Sequence, residues 1–243
     1  GFVMAPIIAE MLLIYFSWRG VPAAVGVFAL VVGLLFAGFG KGGNFPGKPP
    51  GIEALRVLFA TREFWVMVVL FGLAISSTMG IYTMLPLYLV NDIEIPRSTA
   101  NTLIGISRLF GIGSALISGW ATDRFGPRQT IRVMLGATGL ATILLGAASS
   151  AWFAVGCVFV QAVLGTCYFP AGFAVLSSIG PAGYRNVAVS LTIPFAFVFG
   201  GGISPAIIGA SGDLGNFGAG IMIIGALITT GAVLPTFLRP SKE

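Results

Sequence analysis

The chain reads as an all-α, polytopic transmembrane helix bundle, and three observations predict it. Of 243 residues, 56% are hydrophobic and 9% charged, where soluble domains carry about 25% charged residues. Mean hydropathy is +0.99, and apolar stretches of about 20 residues, the length that crosses a bilayer core, recur along the sequence. The basic residues stand in short segments between those stretches. A net charge of +5 would point to nucleic acid only if it formed one patch. Scattered over turns, it fits the way membrane loops use Lys and Arg.

Eight spans are predicted, at about 2–17, 21–39, 64–90, 99–121, 130–148, 151–179, 186–210 and 216–238. The first is short and opens on Gly1 with no basic leader, so the chain reads as a fragment that begins inside a span. The third carries Ser76-Ser77-Thr78, Gly80 and Pro86; the sixth carries Gln161, Gly165, Thr166, Tyr168 and Pro170; the seventh carries Pro194, Gly200-Gly201-Gly202 and Pro205. Such residues interrupt helices, and breaks at depth survive only where protein or a wet cavity satisfies the freed backbone. Elsewhere the many glycines read as close helix packing.

The cations then test the topology. With alternating spans, one side receives Lys41, Lys48, Arg56, Arg62, Arg124, Arg128, Arg132, Arg185, Arg239 and Lys242, ten of the thirteen. The other side holds Arg19 and Arg97. The rich side is therefore assigned to the cytoplasm. On that side lies the one long connection, residues 41–63. Its first part, KGGNFPGKPPG, is predicted to be extended. Ile52 to Glu63 then places Leu55, Leu58 and Phe59 at helical spacing among charges, which reads as an interfacial amphipathic segment.

Residues 119–128, Gly-Trp-Ala-Thr-Asp-Arg-Phe-Gly-Pro-Arg, form a charged turn between two apolar runs. The spacing Gly119, Asp123, Arg124, Gly126, Arg128 resembles the loop signature of the major facilitator superfamily of secondary transporters. Ala5-Pro6 with Trp18-Arg19, and the third span from Gly80-Ile81-Tyr82 to Leu85-Pro86-Leu87-Tyr88-Leu89, are similar to that family's fifth and seventh helices. Two departures stand out: Glu10 where a Gly often follows the Pro, and Pro127 inside the cationic run.

The resemblance implies a bundle of major facilitator type covering the fifth to twelfth helices, with the first four missing. Residues 1–40 would then close the N-terminal half, 41–63 form the cytoplasmic linker, and 64–243 make the C-terminal six-helix half. It further implies a multi-pass protein of a prokaryotic plasma membrane that moves a small-molecule substrate by alternating access, with a coupling proton. The missing N-terminal helices would be required, and the charged turn would latch one access state. The same turn also reads more simply as an orientation signal. No enzyme, cofactor, metal or nucleic-acid role is expected.

Arg108 is the sharpest chemical signal. It stands eleven residues before Gly119, about 16 Å along a helix, near the bilayer centre. There a cation costs about 2.5–3.5 kcal/mol by insertion scales. Asn101, Ile104, Gly105, Gly111, Ile112, Ala115 and Gly119 share its face, and Leu103, Ile106, Phe110, Ile117 and Trp120 lie opposite. Arg108 is thus expected to point into protein or a water-filled cavity. A guanidinium is shaped to hold a carboxylate or phosphate, so one reading has it bind an anionic substrate, with Tyr82, Thr83 and Gln161 lining the pocket beside it. The other reading pairs it structurally with Glu10 or with an acid from the missing helices. Glu10 is also a candidate for proton coupling.

Other chemistry is disfavoured. The chain has no His, which removes a Ser-His-Asp arrangement. Gly40-Lys41-Gly42-Gly43 lacks the Ser or Thr of a phosphate loop. Cys157 and Cys167, ten apart on one predicted helix, stand too far apart to bridge. Competing functions that the sequence leaves open are a drug efflux antiporter and a non-transporting membrane interaction fragment.

Overall fold

A computed structural model describes residues 12, 15–17, 19–40, 51–179 and 185–238. Seven of its helical segments are long and apolar enough to cross a membrane. The predicted first span and the stretch 41–50 fall almost wholly outside the described residues. The chain divides into two units, Gly1–Pro49 and Pro50–Glu243. In the first, α1 (Gly20–Phe39) is apolar on every side and buries no residue, as suits a helix facing lipid or other protein all round.

The second unit begins with α2 (Ile52–Ala60), whose Ala54 and Leu58 are buried. Leu55 is half-buried, and Phe59, the third apolar residue of the pattern, is exposed. Its ring stacks on Trp65 at 5.8 Å and meets Phe195 edge-on at 6.1 Å. The Trp65 Nε1–H donates to the Phe59 carbonyl at 2.9 Å, which pins the end of α2 to the next helix.

Six spans follow. They are α3 (Arg62–Ile75) running into α4 (Ile81–Asn91), α5 (Arg97–Phe125), α6 (Pro127–Gly146), α7 (Ala151–Thr166) with α8 (Tyr168–Leu176), α9 (Arg185–Phe197) running into α10 (Ser204–Asp213), and α11 (Phe217–Gly231). These bounds lie within a few residues of those expected. The three spans rich in breakers are the three that break. Between α3 and α4 lies a π-turn, Ser76–Gly80, closed by an Ile81 N–H to Ser76 carbonyl bond. Between α9 and α10 lies another, Val198–Ile203, closed from Ser204 N–H to the Phe199 carbonyl. Both bonds span five residues instead of four, so each turn carries one residue more than an α-helix would.

The two π-turns face each other, and glycine lets their backbones meet. A Cβ added to Gly80 would stand 2.6 Å from the Gly200 carbonyl oxygen; one added to Gly200 would stand 2.6 Å from Ile75 Cβ and 2.7 Å from the Gly72 oxygen. Beside this crossing, Ser76 Oγ donates to the Gly72 carbonyl at 2.7 Å and shares a 2.7 Å hydrogen bond with Ser204 Oγ. Both serines are fully buried.

The rest of the unit is held by the same small-residue logic. Gly139 and Gly146 of α6 abut Gly225 and Gly218 of α11, and a Cβ at Gly225 would lie 2.7 Å from the Ile143 nitrogen. The first amides of α11 are capped, Ala219 N–H by Asn216 Oδ1 and Gly218 N–H by Asp92 Oδ2, each at 2.8 Å. Such caps satisfy donors that a helix start leaves open.

The crossing yields a direct test. Gly200→Ala forces a methyl group into packed backbone, and overpacking of this kind costs about 1–3 kcal/mol. Gly156→Ala, where nothing lies within 4 Å of the added carbon, gains helix propensity instead. Thermal melts in detergent are expected to show a lowered midpoint for Gly200→Ala and an unchanged or raised one for Gly156→Ala.

Candidate functional site

Arg108 sits in the middle of α5, eleven residues from its start, and is half-buried. One face of α5 is small and hydroxylated: Ser107, Gly111, Ser114, Ser118 and Thr122 are buried. The other is bulky and exposed, with Ile106, Leu109, Phe110, Leu116, Ile117 and Trp120. A hydroxyl seam docks the small face onto the α7–α8 junction. Ser114 Oγ and Thr166 Oγ1 share a 2.7 Å hydrogen bond, Thr166 Oγ1 donates to the Gly111 carbonyl at 3.2 Å, and Ser118 Oγ donates to the Cys167 carbonyl. The seam fixes the rotation of α5 and so aims Arg108.

The guanidinium meets the first π-turn. Its Cζ lies 4.0 Å above the centroid of the Tyr82 ring, a cation–π contact that becomes stronger when desolvated. Its Nη2 donates to the Thr78 carbonyl at 3.3 Å. Gln161, from α7, donates its Nε2 to the neighbouring Ser77 carbonyl at 2.7 Å. Two consecutive carbonyls of the widened turn therefore take side-chain donors from two different helices. Tyr82 is itself buried, and its hydroxyl makes no hydrogen bond among the described residues.

Of the four residues expected around a solute, the structure brings Arg108, Tyr82 and Gln161 to one turn. Gln161 is 1% exposed and acts there through its bond to Ser77. Thr83 is exposed, and its hydroxyl turns back onto the Met79 carbonyl at 2.7 Å. Glu10, the proton-coupling candidate, lies outside the described residues. Sequence reading missed the carbonyls of Ser77 and Thr78 as the acceptors. It also missed the serine stripe of α5, although its seven-then-four spacing from Ser107 through Ser114 and Ser118 to Thr122 is legible on a helix.

The charged turn is tighter than expected. Helix α5 runs on to Phe125 and α6 starts at Pro127, so Gly119, Asp123 and Arg124 are helical and Gly126 alone makes the reversal. Gly126 holds φ 83° and ψ 148°, a region essentially reserved for glycine, and Pro127 occupies the first helical position, where its missing N–H is harmless. Asp123 and Arg124 are exposed, with Arg124 Cζ 5.9 Å from the Trp120 ring. One terminal nitrogen of Arg128 is buried and makes no hydrogen bond among the described residues. Cys157 and Cys167 are buried and free, as the spacing required.

These features define a multi-pass helical membrane protein with a cation held at depth against a broken helix. The sequence profile of the Major Facilitator Superfamily matches residues 1–205 and, in a second overlapping match, residues 77–243. The chain belongs to that family. A curated relative, the Na(+), Li(+), K(+)/H(+) antiporter of Planococcus maritimus, is 28% identical over 133 residues, which cover 51% of this chain and 31% of the antiporter. Among solved structures, the transporter FucP in its outward conformation superposes with a TM-score of 0.67 at 15% identity, over 96% of this chain and 60% of that one. A variant of the E. coli fucose:proton symporter FucP gives the same score over 61% of its chain. An inward-facing, unoccupied bacterial homologue of the human lysosomal transporter Spinster gives 0.54 at 18% identity, over 82% of this chain and 50% of that one. The chain thus spans about three-fifths of the FucP chains and under a third of the antiporter.

The reversal at Gly126 is testable by itself. Gly126→Ala places a side chain in a backbone region that costs about 1–3 kcal/mol, with open space around the added carbon. The expected result is a lowered thermal midpoint caused by conformation alone. An unchanged midpoint would mean that the turn accepts a second geometry.

Proposed function

We propose that the whole protein is a secondary active transporter that moves a small organic or inorganic anion by alternating access, with Arg108 holding the negative group. The observation that carries this reading is the Arg108 guanidinium, kept at mid-span by the Tyr82 ring face and the Thr78 carbonyl. Both are electron-rich and neither carries a formal charge. A planar fork of donors suits a carboxylate or phosphate edge. An anion arriving there gains an interaction that is stronger at depth than in water. Carrying a proton with the anion would make the step electrically neutral. Family membership supports transport, and the names of the relatives, an antiporter and a proton symporter, support coupling to an ion gradient.

On the same reading, residues 41–63 link an N-terminal half to the six-helix half, and the cation-rich side faces the cytoplasm of a prokaryotic cell. Arg128, with its buried nitrogen, and Asp123 and Arg124 at the end of α5 would then form a cytoplasmic latch. A second reading, cation–proton antiport, is favoured by the antiporter relative alone. Drug efflux is the remaining alternative within the class.

Proteoliposomes holding the whole protein separate these readings. Uptake of radiolabelled mono- and dicarboxylates is expected to saturate and to be competed by unlabelled anions. Arg108→Gln is expected to raise KM at least tenfold, about 1.4 kcal/mol of lost binding. Uptake by Arg108→Gln at unchanged affinity would reject the anion role. Proton flux driven by added Na+ or K+, with no carboxylate uptake, would favour antiport instead.

A further inference from the structure

Gln161 carries the one buried side-chain amide among the described residues, and at 1% exposure it sits where a solute does not reach. Its amide bonds the Ser77 carbonyl at 2.7 Å across a separation of 84 residues. One turn further along α7, Gly165 lies against the same segment; a Cβ there would stand 3.3 Å from Thr78 Cγ2 and 3.4 Å from Ser77 Oγ. Residues four apart share a helix face, so α7 abuts the π-turn along two successive turns and places its amide donor on the carbonyl the turn presents.

The π-turn in turn sets the site. Its extra residue fixes the rotation of α4 relative to α3, and a helix advances about 100° per residue at 3.6 residues per turn. If the turn relaxed toward a four-residue ladder, α4 would rotate, and a fraction of that angle would carry the Tyr82 ring off the guanidinium. The Thr78 carbonyl would tilt away from Nη2 in the same motion, because it belongs to the peptide next to the one Gln161 holds.

We propose that Gln161 is a positioning residue: by holding the Ser77 carbonyl it fixes the widened turn, and so sets the Tyr82 ring and the Thr78 carbonyl against the Arg108 guanidinium. Its consequence for solute affinity rests on the reading of Arg108 given above; the geometric claim stands apart from it. The side chain acts through the turn and touches no solute.

The test reads the ring directly. A single 3-fluorotyrosine is placed at Tyr82 in the whole protein in lipid nanodiscs, and its 19F resonance is recorded. Arg108→Gln is expected to move the resonance, which calibrates loss of the cation. Gln161→Met, close in shape but without the donor, is expected to move it in the same direction by at least half as much. Cys157→Ala trims a buried side chain of the same helix away from the turn and is expected to leave it in place. Gly165→Ala, whose added carbon stands 3.3 Å from Thr78 Cγ2 and 3.4 Å from Ser77 Oγ and reaches Gln161 Nε2 only at 3.9 Å, presses on the turn while keeping the amide donor; it gives a second, smaller shift and serves if Gln161→Met does not fold. A resonance at the wild-type position in whichever of Gln161→Met and Gly165→Ala folds would overturn the proposal. So would no response to Arg108→Gln. Neither result depends on whether carboxylates are transported, so failure of the anion reading is told apart by the uptake assay.

Discussion

Two donors from two helices meet two neighbouring carbonyls of one broken turn: the Gln161 amide on Ser77 and the Arg108 guanidinium on Thr78. Much of the six-helix unit is arranged around this exchange. A π-turn in lipid or in a dry core leaves backbone acceptors that water cannot serve, and each one left unmet is costly. Of the side chains supplied here, one is neutral and one charged. The charged one also brings a cation to mid-span, where it is expensive and where chemistry can use it. On the proposed function, backbone satisfaction and solute chemistry would share one group.

The same turn carries a mechanical load. Its far side meets the second π-turn through Gly80, Gly200 and the buried Ser76–Ser204 hydrogen bond. Contacts that tight resist sliding, while the widened turns and Pro86 and Pro194 inside the flanking helices loosen the ladders that would keep the arms stiff. A perturbation of Arg108 therefore has a short path, through Thr78 and Ser76, to the span that contains α9 and α10. The hydroxyl seam from Ser114 to Cys167 holds α5, the helix that carries the guanidinium, against the α7–α8 junction.

Much of this was legible in the sequence because lipid simplifies the code. Span ends followed from hydropathy, and the spans with Ser-Ser-Thr, Gly-Gly-Gly and Pro were the ones that broke. Helix α5 was harder: its charged end looked like a turn, yet the backbone stays helical through Asp123 and Arg124 because Gly126 and Pro127 alone suffice for the reversal. That Arg108, Tyr82 and Gln161 gather at one turn was legible in the side chains; the backbone acceptors they meet were not. Nothing in a residue's identity marks its carbonyl as the partner of a distant amide, so the roles of Ser77 and Thr78, and of Gln161 as their support, needed coordinates. Thr83 shows the same limit from the other direction, since adjacency to Tyr82 in sequence puts it about 100° away on a helix. In α2 the helical spacing was legible, while the aromatic cluster that Phe59 forms with Trp65 and Phe195 was announced by no local spacing.

Two side-chain donors, and not local backbone preference, would on this arrangement hold the widened turn open. Backbone amide exchange over Ser76–Thr83, measured by mass spectrometry in nanodiscs, tests this most directly in a protein carrying Arg108→Gln and Gln161→Met together. Exchange is expected to be at least tenfold faster in that segment, with the α6–α11 glycine contacts as protected as before. Exchange unchanged from the wild type would contradict it, because the turn would then stand without the two donors.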